Sequence, residues 1–233
     1  MCVSADRHRF AAGLLTATTT KQCIGFMIGS ALFALGSAPG FGPWAGAEAA
    51  NISYFIGAWF FTGAALIQLV RSGPMTTSVP YGSGVMLRAD WLAASTQFVG
   101  TLLFNVSTAA ALEVKTVHGQ QHLVWNPDAG GSVAFLLSGL FVLVAFTRAD
   151  AARRVWAPGS TDWWSGVINM IGCIAFGVSA VGSFVSRTGT TVDAVLATVG
   201  TFVGALCFFF ASFIVLVAMR MHPRTTDSAD SVR

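Results

Sequence analysis

The sequence predicts an all-α integral membrane protein: a six-helix bundle built from three tandem transmembrane hairpin repeats, with both termini cytoplasmic. Three observations lead there. Hydrophobic residues fill 54% of the 233 positions and charged residues only 10%, where soluble domains carry about 25% charged residues. Six uninterrupted apolar stretches approach the ~20 residues that a bilayer requires, at 22–41, 52–70, 92–112, 130–147, 164–186 and 195–219. A pattern of Gly, Phe and small residues recurs once in each of them.

Taken in chain order, residues 1–21 form a cytoplasmic arm, and 22–71 form the first hairpin. A cytoplasmic linker at 72–90 leads to the second hairpin at 91–148. A second linker at 149–161 leads to the third hairpin at 162–220, and a disordered cytoplasmic tail covers 221–233. The basic residues set this orientation, because Lys and Arg in short loops stay cytoplasmic. Arg7, Arg9, Lys21, Arg71, Arg88, Arg148, Arg153, Arg154, Arg220, Arg224 and Arg233 fall on one side, and only Lys115 and Arg187 on the other. This bias accounts for the net charge of +3 without a nucleic-acid partner. The arm lacks an apolar core followed by a small-residue cleavage site, so no removable signal peptide is expected. Cys2 has no lipoprotein-type apolar run before it, and Cys23, Cys173 and Cys207 read as small packing residues.

The repeated pattern is Gly, small, two of any type, Phe, two of any type, small, small. Its copies are Gly29-Ser30, Phe33, Gly36-Ser37; Gly57-Ala58, Phe61, Ala64-Ala65; and Gly100-Thr101, Phe104, Ser107-Thr108. They continue with Gly131-Ser132, Phe135, Ser138-Gly139; Gly172-Cys173, Phe176, Ser179-Ala180; and Gly204-Ala205, Phe208, Ala211-Ser212. Composition alone predicts about two Gly-x3-Phe pairs in the chain, so one full copy per span is internal repetition. Asp90-Trp91 opens the third span as Asp162-Trp163 opens the fifth, and Gln97 and Asn169 each stand three places before the motif glycine.

The paired Gly-Ser, Phe, Gly-Ser signature on two successive apolar helices resembles the YrhK-like family of small bacterial membrane proteins. The match is strongest at Gly29, Ser30, Phe33, Gly36 and Ser37, while the later copies replace Ser by Ala, Thr or Cys. The resemblance spans all six stretches. It implies a multi-pass protein of the bacterial inner or plasma membrane, and it implies no reaction.

On a helix, positions three, four and seven apart share a face, so Gly29, Phe33 and Gly36 form one stripe. Lipid tails are as apolar as leucine, so packing and hydrogen bonds rather than hydrophobic burial must join the helices. Small residues then admit close approach, and the Phe becomes a knob. The Gly-x3-Gly pairs Gly25/Gly29 and Gly200/Gly204 serve either closure of the bundle or a contact between copies, with closure favoured.

Candidate sites are sparse. Asn105, in the third span, either lines a polar pocket with Gln97 and Asn169 or forms an interhelical hydrogen bond worth about 1 kcal/mol, and the second is the default. Gln68 carries the same default. His118 and His122, near Glu113 and Asp128 in the third loop, have the i, i+4 spacing of a metal pair, but an exposed polar loop explains them more simply, with no metal or cofactor. Trp125, Pro127 and Gly130-Gly131 are expected to form the turn before the fourth helix. Trp44, Tyr54, Trp91, Trp156, Trp163 and Trp164 are expected as interfacial anchors, with Trp59 as a packing residue. The cluster Arg148, Arg153, Arg154 suits anionic headgroups.

No buried ionisable residue marks a proton relay, and no nucleophile with a placed base, phosphate loop or zinc signature is present. The expectation is a non-enzymatic membrane component with a structural or interaction role. Its partners would be membrane lipids, further copies of the chain or other membrane proteins. The alternative is a channel or carrier for a small uncharged or weakly polar solute, which a continuous polar track through Gln97, Thr101, Asn105, Thr108 and Asn169 would favour.

Overall fold

The computed structural model describes residues 16–78, 84–149 and 156–221. Most of the arm, the tail, and with them Arg7, Arg9, Arg153, Arg154, Arg224 and Arg233, lie outside the described residues. The described chain is mostly helical. It consists of α1 (Thr19–Gly36), a short α2 (Phe41–Ala45), α3 (Ala47–Arg71), strands β1 (Thr76–Ser78) and β2 (Val85–Leu87), α4 (Ala89–Glu113), α5 (Val117–Gly119), a π-helical turn (Gln120–Trp125), α6 (Asn126–Ala149), α7 (Thr161–Gly182) and α8 (Ala194–Met221).

Helix ends follow local chemistry. The Thr18 hydroxyl accepts from the Lys21 N–H at the start of α1, and Ser160 and Asp193 take the same role for α7 and α8, each satisfying an N–H that the helix leaves orphaned. Gly40 and Gly46 bracket α2 with φ of 85° and 90°, values that favour glycine. The strands pair antiparallel with Thr77 opposite Met86, a small departure from the all-α expectation, in the stretch read as a linker.

The largest departure is at the third loop. Trp125, Pro127, Gly130 and Gly131 are helical, not a turn. The helix begins at Val117, where the Thr116 hydroxyl accepts from the Gly119 N–H, and runs unbroken to Ala149. A proline lacks an N–H and crowds the carbonyl four residues back. The wide turn just before Pro127, with the Asn126 N–H donating to the Gln121 carbonyl five residues back, makes room for it.

Among the described residues, four helices are long and apolar enough to cross a membrane: Ala47–Arg71, Val117–Arg148, Thr161–Gly182 and Ala194–Met221. α1 and α4 are less apolar on average because α1 opens with Thr19, Thr20, Lys21 and Gln22, and α4 carries Ser95, Thr96, Gln97, Thr101, Asn105, Ser107 and Thr108. Their outward faces are nonetheless aliphatic. Ile24, Ile28 and Leu35 of α1 are exposed, as are Val99, Leu102 and Val106 of α4, while Gln97, Thr101 and Asn105 are buried.

The long helices pack in chain order, α1 on α3, α3 on α4, α4 on α6, α6 on α7 and α7 on α8, and α8 returns to pack on α1. The six motif phenylalanines meet in the core together with Ala58, Cys173 and Ala205. Phe104 and Phe135 lie 5.0 Å apart between ring centroids, Phe33 and Phe61 5.3 Å, and Phe176 stacks on Phe208 at 5.3 Å.

Candidate functional site: two polar cavities about a phenylalanine core

The motif residues interlock within antiparallel helix pairs. A β-carbon on Gly29 would lie 3.0 Å from the Gly57 carbonyl and 3.0 Å from the Phe61 ring, and one on Gly57 would lie 2.8 Å from the Phe33 ring. The same reciprocity joins Gly100 to Phe135, Gly131 to Phe104, Gly172 to Phe208 and Gly204 to Phe176. Each Phe thus lies over the glycine of its partner helix, and backbones approach closely enough to exclude any side chain there. Gly36 abuts Tyr54 and the Ala50 carbonyl, Gly25 abuts Ala64, and Gly200 abuts the Ala175 carbonyl and Ser179. Both Gly-x3-Gly pairs therefore face the partner helix of their own hairpin and not the contact between the first and last helices.

Hydroxyls stitch the same three interfaces. Ser53 donates to the Leu32 carbonyl at 2.6 Å, Ser138 to the Ala93 carbonyl at 2.8 Å, and Ser179 to the Ala197 carbonyl at 2.7 Å. Asn105 donates to the Thr62 hydroxyl at 2.8 Å and lines neither of the polar cavities described below. Thr101 and Thr108 donate to carbonyls of their own helix, those of Phe98 and Phe104. The polar track that would favour transport is interrupted: Thr108 lines one cavity, Gln97 and Asn169 the other, and Thr101 and Asn105 neither.

Two polar cavities lie at opposite ends of the phenylalanine core. The larger, about 390 Å³, is lined by Phe33, Phe104 and Phe176 of the core and reaches Val114 after α4 and Val185 and Thr191 after α7. Tyr54, Asp128 and Thr201 all line it, and each stands seven residues before the motif Phe of its helix. Asn51, Trp125 and Thr198, ten residues before, line it as well. Asp128 Oδ2 accepts from the Ser183 hydroxyl at 3.3 Å, and the Trp125 indole N–H donates to the Ala180 carbonyl at 2.7 Å. Sequence reading took Tyr54 as an interfacial anchor and Asp128 as loop. Both are turned inward because the helices start earlier than their apolar runs, at Ala47 and Val117.

The smaller cavity, about 210 Å³, lies at the other end. Gln97 and Asn169, matched in sequence, both line it, with Gln68, Ser138 and Phe208. Phe26 holds the equivalent place on α1. Counting seven residues from each motif Phe along the chain was the signal that would have found both rings of lining residues.

Other candidates scatter. The rings of His118 and His122 lie 4.2 Å apart on the exposed start of the fourth long helix, and among the described residues no three of His, Cys, Asp and Glu come together. Trp59 is not a packing residue. It is 57% exposed and flanks an outward apolar groove with Ile24, Ile28, Phe60 and Ile67, because the small Gly57 and Ala58, not Trp59, occupy the inner face of α3. Trp163 is buried, with Trp156 and Trp164 packed on it at 5.0 and 4.8 Å. Against known proteins, no family model, no curated protein and no solved structure matches this chain.

Proposed function

We propose that the chain is a multi-pass integral membrane protein of three tandem hairpins, six spans in all, with both termini cytoplasmic, residing in a bacterial inner or plasma membrane and related to the YrhK-like proteins. Its role in this reading is structural or interactive, in contact with membrane lipids and with other membrane proteins or further copies of itself, and not enzymatic. The observation that carries it is the distribution of side chains. Serines, threonines, Gln97 and Asn105 are buried while Ile, Leu, Val and Trp59 cover the outside, the reverse of a water-soluble domain and far beyond the scattered apolar residues such a surface carries. Although α1 and α4 have diluted hydropathy, α1 still rises about 27 Å and α4 about 37 Å, and both present aliphatic faces outward.

Within the core, the motif residues are engaged with one another and the six phenylalanines close the centre. That supports helix packing over an open pore. The second reading, a carrier for a small uncharged or weakly polar solute, is favoured by the two polar cavities on either side of that core. Purified protein in liposomes separates them. The packing role predicts glycerol and urea entry no faster than into protein-free vesicles. Faster entry, abolished when a bulky side chain is placed at Thr201, would establish the carrier.

A further inference from the structure

We propose that the larger cavity is a binding site for a small organic ammonium ion. Its walls bring together a carboxylate, several hydroxyls and aromatic faces, and among the residues that line it there is no Lys, Arg or His. The carboxylate of Asp128 has one hydrogen-bond partner among the described residues, the Ser183 hydroxyl. No described cation forms an ion pair with it; the ion pair between described residues, Arg88 with Asp90, lies elsewhere.

Asp128 is half-buried, and a carboxylate partly withdrawn from water without a positive partner carries a desolvation cost that a bound proton or cation relieves. The helix dipole does not explain its place, since Asp128 lies eleven residues into a helical run that starts at Val117, well past the first turn where the dipole acts. The surroundings suit a cation. Tyr54 and Thr201 line the same space, and their hydroxyl oxygens are of the type that accepts from ammonium N–H groups; Phe33, Phe104, Phe176 and Trp125 bring aromatic rings, which attract a cation, to the same walls. A volume of about 390 Å³ falls at the lower end of the range for small-molecule sites, which limits the ligand to a compact amine.

The proposal rests on this cavity and not on transport. Isothermal titration of the detergent-solubilised full chain with benzylammonium chloride tests it, with benzyl alcohol as the uncharged probe of the same shape. The expected result is saturable binding of one benzylammonium, at least about tenfold weaker binding of the alcohol, and a similar loss for benzylammonium with Asp128→Asn. Size-exclusion and melting profiles verify that the variant is folded, and the two probes on the unaltered protein decide the matter without it. Equal binding of the two probes, absence of saturable benzylammonium binding, or unchanged affinity in a folded Asp128→Asn protein would each overturn the site. Binding without solute flux leaves the packing role intact, whereas flux without ammonium binding removes this site and keeps the carrier.

Discussion

Phe135 covers Gly100 so closely that a β-carbon on the glycine would come within 2.6 Å of ring Cδ1 and 3.1 Å of the Gly131 carbonyl. One of these neighbours is backbone and the other is a ring 1% exposed in the centre of the core, so neither has space to yield. The contact explains why an apolar helix carries glycine where leucine would be as soluble in lipid: the interface gains van der Waals contact only if the backbones meet.

Gly100→Ala is therefore expected to destabilise the protein by about 1–3 kcal/mol through overpacking, visible as a lowered melting temperature in detergent. Gly63→Ala is the control. Nothing lies within 4 Å of a β-carbon there, and alanine is the better helix former, so its melting profile should be unchanged or raised.

Removing the knob should cost at least as much as filling the hole. Phe135→Ala leaves a void among Phe104, Phe176 and Phe208, and Phe→Ala changes in water-soluble cores cost about 3–5 kcal/mol. A value toward the lower end is expected, because the transfer contribution shrinks where lipid replaces water. Trp59→Ala, on the outer surface, should stay within about 0.5 kcal/mol of the unaltered protein.

The mostly helical plan was legible in the sequence because long apolar stretches mark helices able to cross a membrane, and four described helices meet that measure. All six apolar stretches correspond to long helices, and the motif positions point inward as their spacing dictates. What escaped was chemistry at helix ends. Asp128 was placed in the third loop and Tyr54 at the edge of the second apolar run, but Thr116 caps a helix four residues into that loop, a π-turn carries it past Pro127, and the helix of Tyr54 starts at Ala47. Hydropathy has no term for a cap or a widened turn. Trp59 was misread because a ring beside the motif can be supposed to pack, when only the face it occupies decides.

Asn105 illustrates the opposite case, where the bland reading is the one the geometry favours. Its bond to Thr62 joins α4 to α3, while Thr62 also donates to the Ala58 carbonyl. A double-mutant cycle of Asn105→Leu with Thr62→Val should give a coupling of about 0.6 kcal/mol, typical of interhelical hydrogen bonds in membranes. Solute entry into liposomes should be the same for Asn105→Leu as for the unaltered protein, since Asn105 lines neither polar cavity.

The most direct test of the central claim, three membrane-spanning hairpins with cytoplasmic termini, is the accessibility of single cysteines in a chain whose native cysteines are replaced by alanine. Thr188 and Thr77 are both exposed, the first between α7 and α8 and the second between α3 and α4. The account predicts that Thr188→Cys reacts with a membrane-impermeant maleimide in intact cells, and that Thr77→Cys reacts only after permeabilisation. Labelling of both positions in intact cells, or of Thr77→Cys alone, would contradict it.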